Sequence, residues 1–258
     1  MTRLLLLLTL LGGLLLGLAP TTASAKQGVL RVACNFSHQA SDDPIVFPGQ
    51  PGASHLHQFF GNTTTNANST VASMHNGSTT CKLAGDTAGY WFPAPIAANG
   101  QVYQLRQAVA YYSRFPGSGL VHTVPAGAQM IGGSAAATGP QGVNRVKWDC
   151  LADPSVPISP VPITCPNGEE LQVTVRFPNC WSGNGVGRSS FVYGPKGNTC
   201  PPGYTAIPHI RVSFEWNRSN ANGFHLSSGP LYTAHADFWN TWSQSVLDAQ
   251  QRASGVIA

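Results

Sequence analysis

Two histidines separated by one residue, His55 and His57, are the residues of this chain most suited to chemistry. In an extended backbone, side chains two residues apart leave the same face of the strand. Two imidazoles on one face can hold a divalent metal, or act as acid and base toward one substrate. The pair equally fits the solvated face of an ordinary half-buried strand, so a functional interpretation requires partners from elsewhere in the chain.

A second pair with the same spacing, His235 and Asp237, lies near the C-terminal end of the sequence. Two histidines with a third histidine or a carboxylate form a common ligand set for divalent metals. Without a metal, a His–Asp pair can serve as a general base and its orienting partner. We therefore predict catalytic residues His55, His57, His235, Asp237 and Asp43, with the three histidines as ligands of a divalent metal such as zinc or copper. The alternative for Asp237 is the N-cap of a following helix, a position that aspartate favours.

Three aromatic residues stand in Gly- and Pro-rich surroundings, namely Trp181, Trp91 and Tyr90. Rings in such segments are either packed in the core or left accessible to stack on a sugar face. The carbohydrate interpretation predicts that these three residues bind substrate.

The first residues have the pattern of an export signal. Arg3 precedes the apolar run Leu4–Leu18, and Ala23-Ser24-Ala25 provides a small-residue cleavage site. We predict a signal peptide over residues 1–25 and a single secreted domain over residues 26–258, extracellular and without a membrane segment after cleavage.

The cysteines predict a disulfide framework. An even number of cysteines in an exported chain favours three disulfides, although six cysteines allow 15 pairings and all remain open. Nearness in sequence favours pairing among the last four and leaves the first two for each other; in order they are Cys34, Cys81, Cys150, Cys165, Cys180 and Cys200.

Composition and periodicity predict a mainly β fold. The 28 glycines and 20 prolines disfavour long helices over most of the chain. Residues Phe238 to Arg252 predict the one clear helix, with Phe238, Trp242 and Val246 on one face. We expect an antiparallel β-sandwich or jelly-roll-like domain with a C-terminal helix. The predicted strands are Val29–Cys34, Val102–Tyr112, Asn144–Trp148, Leu171–Phe177 and Ile210–Trp216.

The charge balance argues against nucleic acid as a partner. The chain has 14 basic and 10 acidic residues, and no local run of Lys and Arg. We expect a monomer whose partner is an extracellular polysaccharide.

Several short motifs follow one another along the chain in a fixed order. They are Asp43-Pro44-Ile45-Val46, Ser54-His55-Leu56-His57, Tyr90-Trp91-Phe92-Pro93, Trp148-Asp149-Cys150, Phe177-Pro178-Asn179-Cys180-Trp181 and His235-Ala236-Asp237-Phe238. Together they resemble a large secreted family of fungi and actinobacteria, the domain of unknown function nineteen-ninety-six. The resemblance covers roughly Asp42 to Leu247, but the family carries no known activity. Its usual pattern has histidines where this chain has Gly187–Tyr193, which contains none; Ser189 or Ser190 would be the substitutes.

Three functions remain open from the sequence. The first is a secreted hydrolase or lyase of polysaccharide that uses the His/Asp cluster, with or without a metal. The second is a non-catalytic carbohydrate- or cell-wall-binding module, and the third is a structural surface protein. We favour the enzyme, because two polar pairs of equal spacing at distant positions are costly to explain as scaffold.

Overall fold

The computed structural model describes residues 28–115, 119–195 and 199–258, so the predicted signal peptide lies outside the described residues. The described chain is mainly β, as predicted. It has two α-helices, α1 (Val71–His75) and α2 (Gln244–Ala253). Its strands are β1 (Val29–Ala40), β2 (His57–Gly61), β3 (Gly89–Pro93), β4 (Pro95–Ala97), β5 (Gln107–Ser113), β6 (Gln129–Gly133), β7 (Val146–Cys150), β8 (Leu171–Arg176), β9 (Cys180–Trp181), β10 (Phe191–Val192), β11 (Thr205–Ala206), β12 (His209–Glu215), β13 (Phe224–Leu226) and β14 (His235–Trp239).

Nine strands form one antiparallel sheet in the order β6-β14-β3-β2-β1-β5-β12-β8-β7. Strand β1 joins the two halves, because its first part pairs with β5 and its second part with β2. Its register to β2 shifts between Phe36 and His38, an irregularity of the kind that bends a strand. The inner faces of the two halves therefore meet: the Phe214 ring on β12 lies 5.5 Å from Phe60 and 4.6 Å from Phe92, centroid to centroid.

Alternation along β8 and β12 directs one face of each strand into this core. Leu171, Val173 and Val175 of β8 pack against the core, as do Val212 and Phe214 of β12. The alternate residues lie on the outer face, where Arg176 and Arg211 are half-buried and Thr174 and Ser213 are buried. Each of these strands thus has an apolar inner face and a polar outer face, as the sequence predicts.

The predicted helix Phe238–Arg252 is wrong at its start, because α2 begins at Gln244. Phe238 belongs to β14, whose five residues are all buried. Trp242 follows Phe238 at the helix-like spacing of four residues, but it is buried in the segment before α2. Among the described residues, neither α-helix has the length and apolar composition needed to cross a bilayer.

Three disulfides form, and the pairing favoured by sequence proximity is confirmed. Every cysteine of the chain is used, and the described residues leave no free thiol. The Cys34–Cys81 bridge attaches the segment after α1 to β1, and the other two close short loops beside β8 and β9. The bonds are Cys34–Cys81, Cys150–Cys165 and Cys180–Cys200.

Reduction of the disulfides should strongly destabilise the fold. Each native bridge restricts the unfolded chain and contributes about 2–5 kcal/mol in a small exported domain, and the three values need not add. Thiol titration of the denatured, unreduced protein should find almost no free sulfhydryl, and urea unfolding with and without reductant should show the loss. Two or more reactive thiols before reduction would contradict the assigned bridges.

Candidate functional site

Strands β2 and β14 place the candidate residues on the outer face of one half of the sheet. On β2, Phe60 enters the core while His57 and Phe59 face the other way. On β14, Phe238 enters the core while His235 and Asp237 line a cavity. The loop between β1 and β2 covers this face and adds Asp43 and His55. The two sequence pairs therefore reach the same place.

The three predicted histidines converge. The ring centroids of His55 and His57 are 4.3 Å apart, and His235 lies 5.0 Å from His55 and 5.9 Å from His57. One ligand nitrogen from each ring can be chosen so that all three lie within 4.8 Å of one another. His57 and His235 are buried, and His55 is half-buried at the cavity. This cavity of about 390 Å³, with His55, His235, Asp43, Asp237 and Arg188 in its lining, is called the His/Asp cavity below.

Two of the rings have a fixed tautomer. Nδ1 of His57 lies 2.9 Å from the carbonyl oxygen of Asp42, and Nδ1 of His235 lies 2.9 Å from that of Thr233. A carbonyl oxygen only accepts, so each Nδ1 donates its proton and each Nε2 keeps a lone pair. Nε2 of His57, like that of His55, is buried without a hydrogen-bond partner among the described residues. Metal-binding histidines have this arrangement, with one nitrogen anchored and the other available.

The surroundings keep these imidazoles neutral. Burial, and then the neighbouring His55 and His235, lower the pKa of His57 well below its ordinary value, although the bond to Asp42 opposes this. Burial lowers the pKa of His235 to about 4, with the Thr233 carbonyl opposing and His55 contributing. Burial also lowers the pKa of His55. At neutral pH all three rings therefore carry lone pairs, as ligands or bases must.

Asp43 and Asp237 lie beside the histidines but differ in their hydrogen bonds. Oδ1 of Asp43 accepts the backbone N–H groups of Ile45 and Val46, each at 2.9 Å. Both oxygens of Asp237 are buried without a partner among the described residues. Burial, and then repulsion from Asp43, raise the pKa of Asp237 well above its ordinary value. Asp237 can therefore hold a proton at a pH where an ordinary aspartate cannot.

The structure rejects the N-cap interpretation of Asp237. The residue lies within β14 and pairs with Trp91 of β3 and Ile131 of β6, well before α2 begins. Its burial without hydrogen bonds is energetically unfavourable for a purely structural residue. A carboxyl group in this condition is typical of a functional site.

Arg188 also lines the His/Asp cavity, and the sequence did not single it out. It begins the short 3₁₀ turn Arg188–Ser190 and is exposed. Its positive charge partly offsets the rise in the pKa of Asp237 and of Asp43. Ser189, one of the two serines considered as substitutes for histidine, lines a neighbouring cavity instead.

Two of the three aromatic residues predicted to bind substrate are fully buried. Trp91 and Tyr90 are 0% exposed, so neither can offer a ring face to a sugar. They lie on β3, in the middle of the sheet, where both faces are covered. Trp181 is half-buried, and its Nε1 donates to the carbonyl oxygen of Gly185 at 2.8 Å. It is not among the residues that line the His/Asp cavity.

A protein-family model matches most of the chain. Residues 43–242 match the family model described as Domain of unknown function (DUF1996). The chain belongs to this family. The matched DUF1996 segment contains all five predicted catalytic residues, from Asp43 to Asp237. No curated protein sequence and no solved structure matches the chain.

Within this DUF1996 chain, the residues present fit a divalent metal. The donor set is three neutral imidazoles with a carboxyl group beside them, which suits zinc or copper. A bound cation would also satisfy the buried, unpartnered Nε2 atoms and favour ionisation of Asp237. A second combination, Asp43, His57 and Asp237, offers ligand atoms within 4.8 Å of one another as well.

Proposed function

We propose that this protein is a secreted hydrolase or lyase of an extracellular polysaccharide, with a divalent metal bound by His55, His57 and His235. One observation supports the proposal most: three imidazoles converge, and two of them, His55 and His235, line one cavity together with the unpartnered, buried carboxyl of Asp237. A purely structural role does not explain this convergence, because burying polar groups without hydrogen bonds is energetically unfavourable.

The residues of the chain have separable roles in this proposal. The metal, when bound, supplies Lewis-acid polarisation of an oxygen or of a water molecule. The carbonyls of Asp42 and Thr233 hold the rings of His57 and His235 in the tautomer that presents Nε2. Asp237, with its raised pKa, donates or accepts the proton of the reaction. Arg188 binds a negatively charged group of the substrate at the cavity wall.

The structure argues against the alternative of a non-catalytic carbohydrate-binding module. It depended on accessible aromatic rings, and Trp91 and Tyr90 are buried. Trp181 alone, half-buried and outside the His/Asp cavity lining, is a weak stacking surface. In the His/Asp cavity, the half-buried Phe47 is an aromatic side chain available to a substrate beside the polar and charged groups.

The function is tested by product formation on a panel of soluble polysaccharides, with protein loaded with zinc or copper and with chelated protein. We expect new reducing ends only with the metal-loaded protein. Ultraviolet absorbance of an unsaturated product would distinguish a lyase from a hydrolase. The His122→Ala/His225→Ala protein, which loses two exposed histidines outside the site, should keep full activity. Equal activity of the chelated and the metal-loaded protein would contradict the metal role.

A further inference from the structure

Four arginines lie side by side on the outer face of the other half of the sheet. Arg31 of β1 is opposite Tyr111 of β5, and Tyr111 is opposite Arg211 of β12. Arg211 is in turn opposite Arg176 of β8. The Arg176 N–H donates to the carbonyl oxygen of Arg145, 2.9 Å away, which continues the series to the residue before β7. We call Arg31, Arg211, Arg176 and Arg145 the arginine row.

The charges of the arginine row are not neutralised within the described residues. None of the four makes an ion pair within 4.0 Å there; the four ion pairs use Arg106, Lys147 and Arg252 instead. Like charges directly opposite one another in a sheet destabilise it, and Arg211 and Arg176 are so placed. The Nε of Arg176 is buried without a hydrogen-bond partner among the described residues, as is Nδ1 of His209 beside it. Of these two groups, the Nε–H of Arg176 is a donor, and a donor left unpaired next to uncompensated positive charge points to an anionic ligand.

The arginine row is connected to the His/Asp cavity by a series of open cavities. Arg188 lines both the His/Asp cavity and the next cavity, at β6 and β10. Arg145 is shared between that cavity and one that contains His209. Arg176 is shared between the His209 cavity and a last one that contains Arg211. An arginine therefore stands at every junction of this path around the edge of the sheet.

We propose that the arginine row and Arg188 bind an acidic polysaccharide along this path and lead it into the His/Asp cavity. This inference rests on the proposed function and adds the chemical class of the substrate, a polymer with carboxylate or sulfate groups. Guanidinium groups bind such oxyanions in a planar, two-point geometry.

The spacing favours a polymer over a single small anion. Adjacent strands are about 4.8 Å apart, so the four strand intervals from Arg31 to Arg145 span about 19 Å. One carboxylate or phosphate cannot contact arginines over that length, whereas a chain with repeated charges can.

The aromatic residues of the path favour a polysaccharide over nucleic acid. Binding of single strands relies on open aromatic faces where bases stack. The guanidinium groups of Arg211 and Arg31 lie 4.6 and 5.9 Å from the centroid of the Tyr111 ring. Arg145 covers the Tyr193 ring at 3.2 Å. Arginines therefore occupy the Tyr111 and Tyr193 rings, on which bases could otherwise stack.

Binding is measured by calorimetric titration of the full protein with polygalacturonate, dextran sulfate, uncharged dextran and single-stranded DNA at low and high salt. We expect at least one of the two acidic polysaccharides to bind more tightly than dextran and DNA, and salt to weaken that binding. The Arg176→Gln/Arg211→Gln protein should bind it roughly tenfold more weakly or worse. The control Arg218→Gln/Arg252→Gln removes the same charge from exposed residues outside the row and should change the affinity less than about twofold.

Several results would overturn the inference. These are equal binding of dextran, tighter binding of DNA than of either acidic polymer, or unchanged affinity in the Arg176→Gln/Arg211→Gln protein. Thermal unfolding checks that this variant folds; if it does not, Arg31→Gln at the exposed end of the row must weaken binding in its place. Binding of polygalacturonate would identify carboxylate as the ligand group, and binding of dextran sulfate would identify sulfate. Binding without product from the metal-loaded protein would remove the enzyme proposal alone, and turnover of a neutral polymer without binding at the row would remove this inference alone.

Discussion

The His55→Ala/His57→Ala protein should contain no stoichiometric metal, whereas the purified parent should contain about one zinc or copper ion per chain. The substitutions remove two of the three converging imidazoles, and the second ligand combination, with Asp43 and Asp237, also loses His57. Metal that binds only the folded state contributes about 2.7 kcal/mol when its free concentration is a hundred times the dissociation constant. Chelator should therefore lower the melting temperature of the parent and leave that of the variant unchanged. Elemental analysis and thermal unfolding measure both effects.

The matched control for this experiment is the His122→Ala/His225→Ala protein. Both histidines are exposed and lie outside the His/Asp cavity, so metal content and the chelator effect should equal those of the parent. Metal retained in the His55→Ala/His57→Ala protein would show that other residues bind it. A parent without metal, and without a response to chelator, would leave the His–Asp pair as the only basis for catalysis.

The Asp237→Asn protein should lose activity by roughly 10²–10⁴-fold while becoming more stable near neutral pH. The folded-state pKa of Asp237 is raised by burial and by Asp43, so the native protein holds a proton that the unfolded chain releases above 3.8. The stability contributed by this group is therefore complete below pH 3.8 and is lost as the pH rises toward the folded-state pKa. An amide has no proton to lose, so the variant should lack this decline.

Urea unfolding of metal-free parent and variant across this pH range measures the stability effect. Asp153→Asn is the control of opposite sign, because hydrogen bonds from Ser155 lower the pKa of that exposed carboxyl. Its contribution is present above pH 3.8 and is lost as the pH falls, so its removal should not stabilise the neutral protein. A loss of stability in the Asp237→Asn protein would indicate that the carboxylate holds the fold together instead of serving a reaction.

Patterns with a local physical cause were predictable from the sequence. Alternation along Leu171–Phe177 and Ile210–Trp216 identified two strands, because each has an apolar face in the core and a polar face on the other side. The i, i+2 spacing of His235 and Asp237 predicted a shared face, and the two side chains do line the same cavity. The convergence of this pair with His55 and His57 depends on strand order, which no local pattern specifies.

The errors came from residues whose surroundings are set by distant parts of the chain. Phe238 was assigned to a helix because its spacing to Trp242 and Val246 is helical, but only Val246 lies in α2, and Phe238 pairs within the sheet. Trp91 and Tyr90 have Pro93 close by, which suggested a loop, but β2 and β14 flank them in the sheet. The arginine row was invisible because its members are far apart in sequence and become neighbours only through strand register.

Strand β14 is the last strand in chain order, yet it lies inside the sheet between β3 and β6. During synthesis, the edges of β3 and β6 that pair with β14 therefore stay unpaired until residues 235–239 have been made. Unpaired strand edges readily pair with other chains. A chain cut short before His235 would lose this strand and one of the three proposed metal ligands together, and we expect it to aggregate. Under the proposed metal role, bound metal would mark a chain that has completed its sheet, and metal content per molecule would report the fraction of a preparation that has folded to the end.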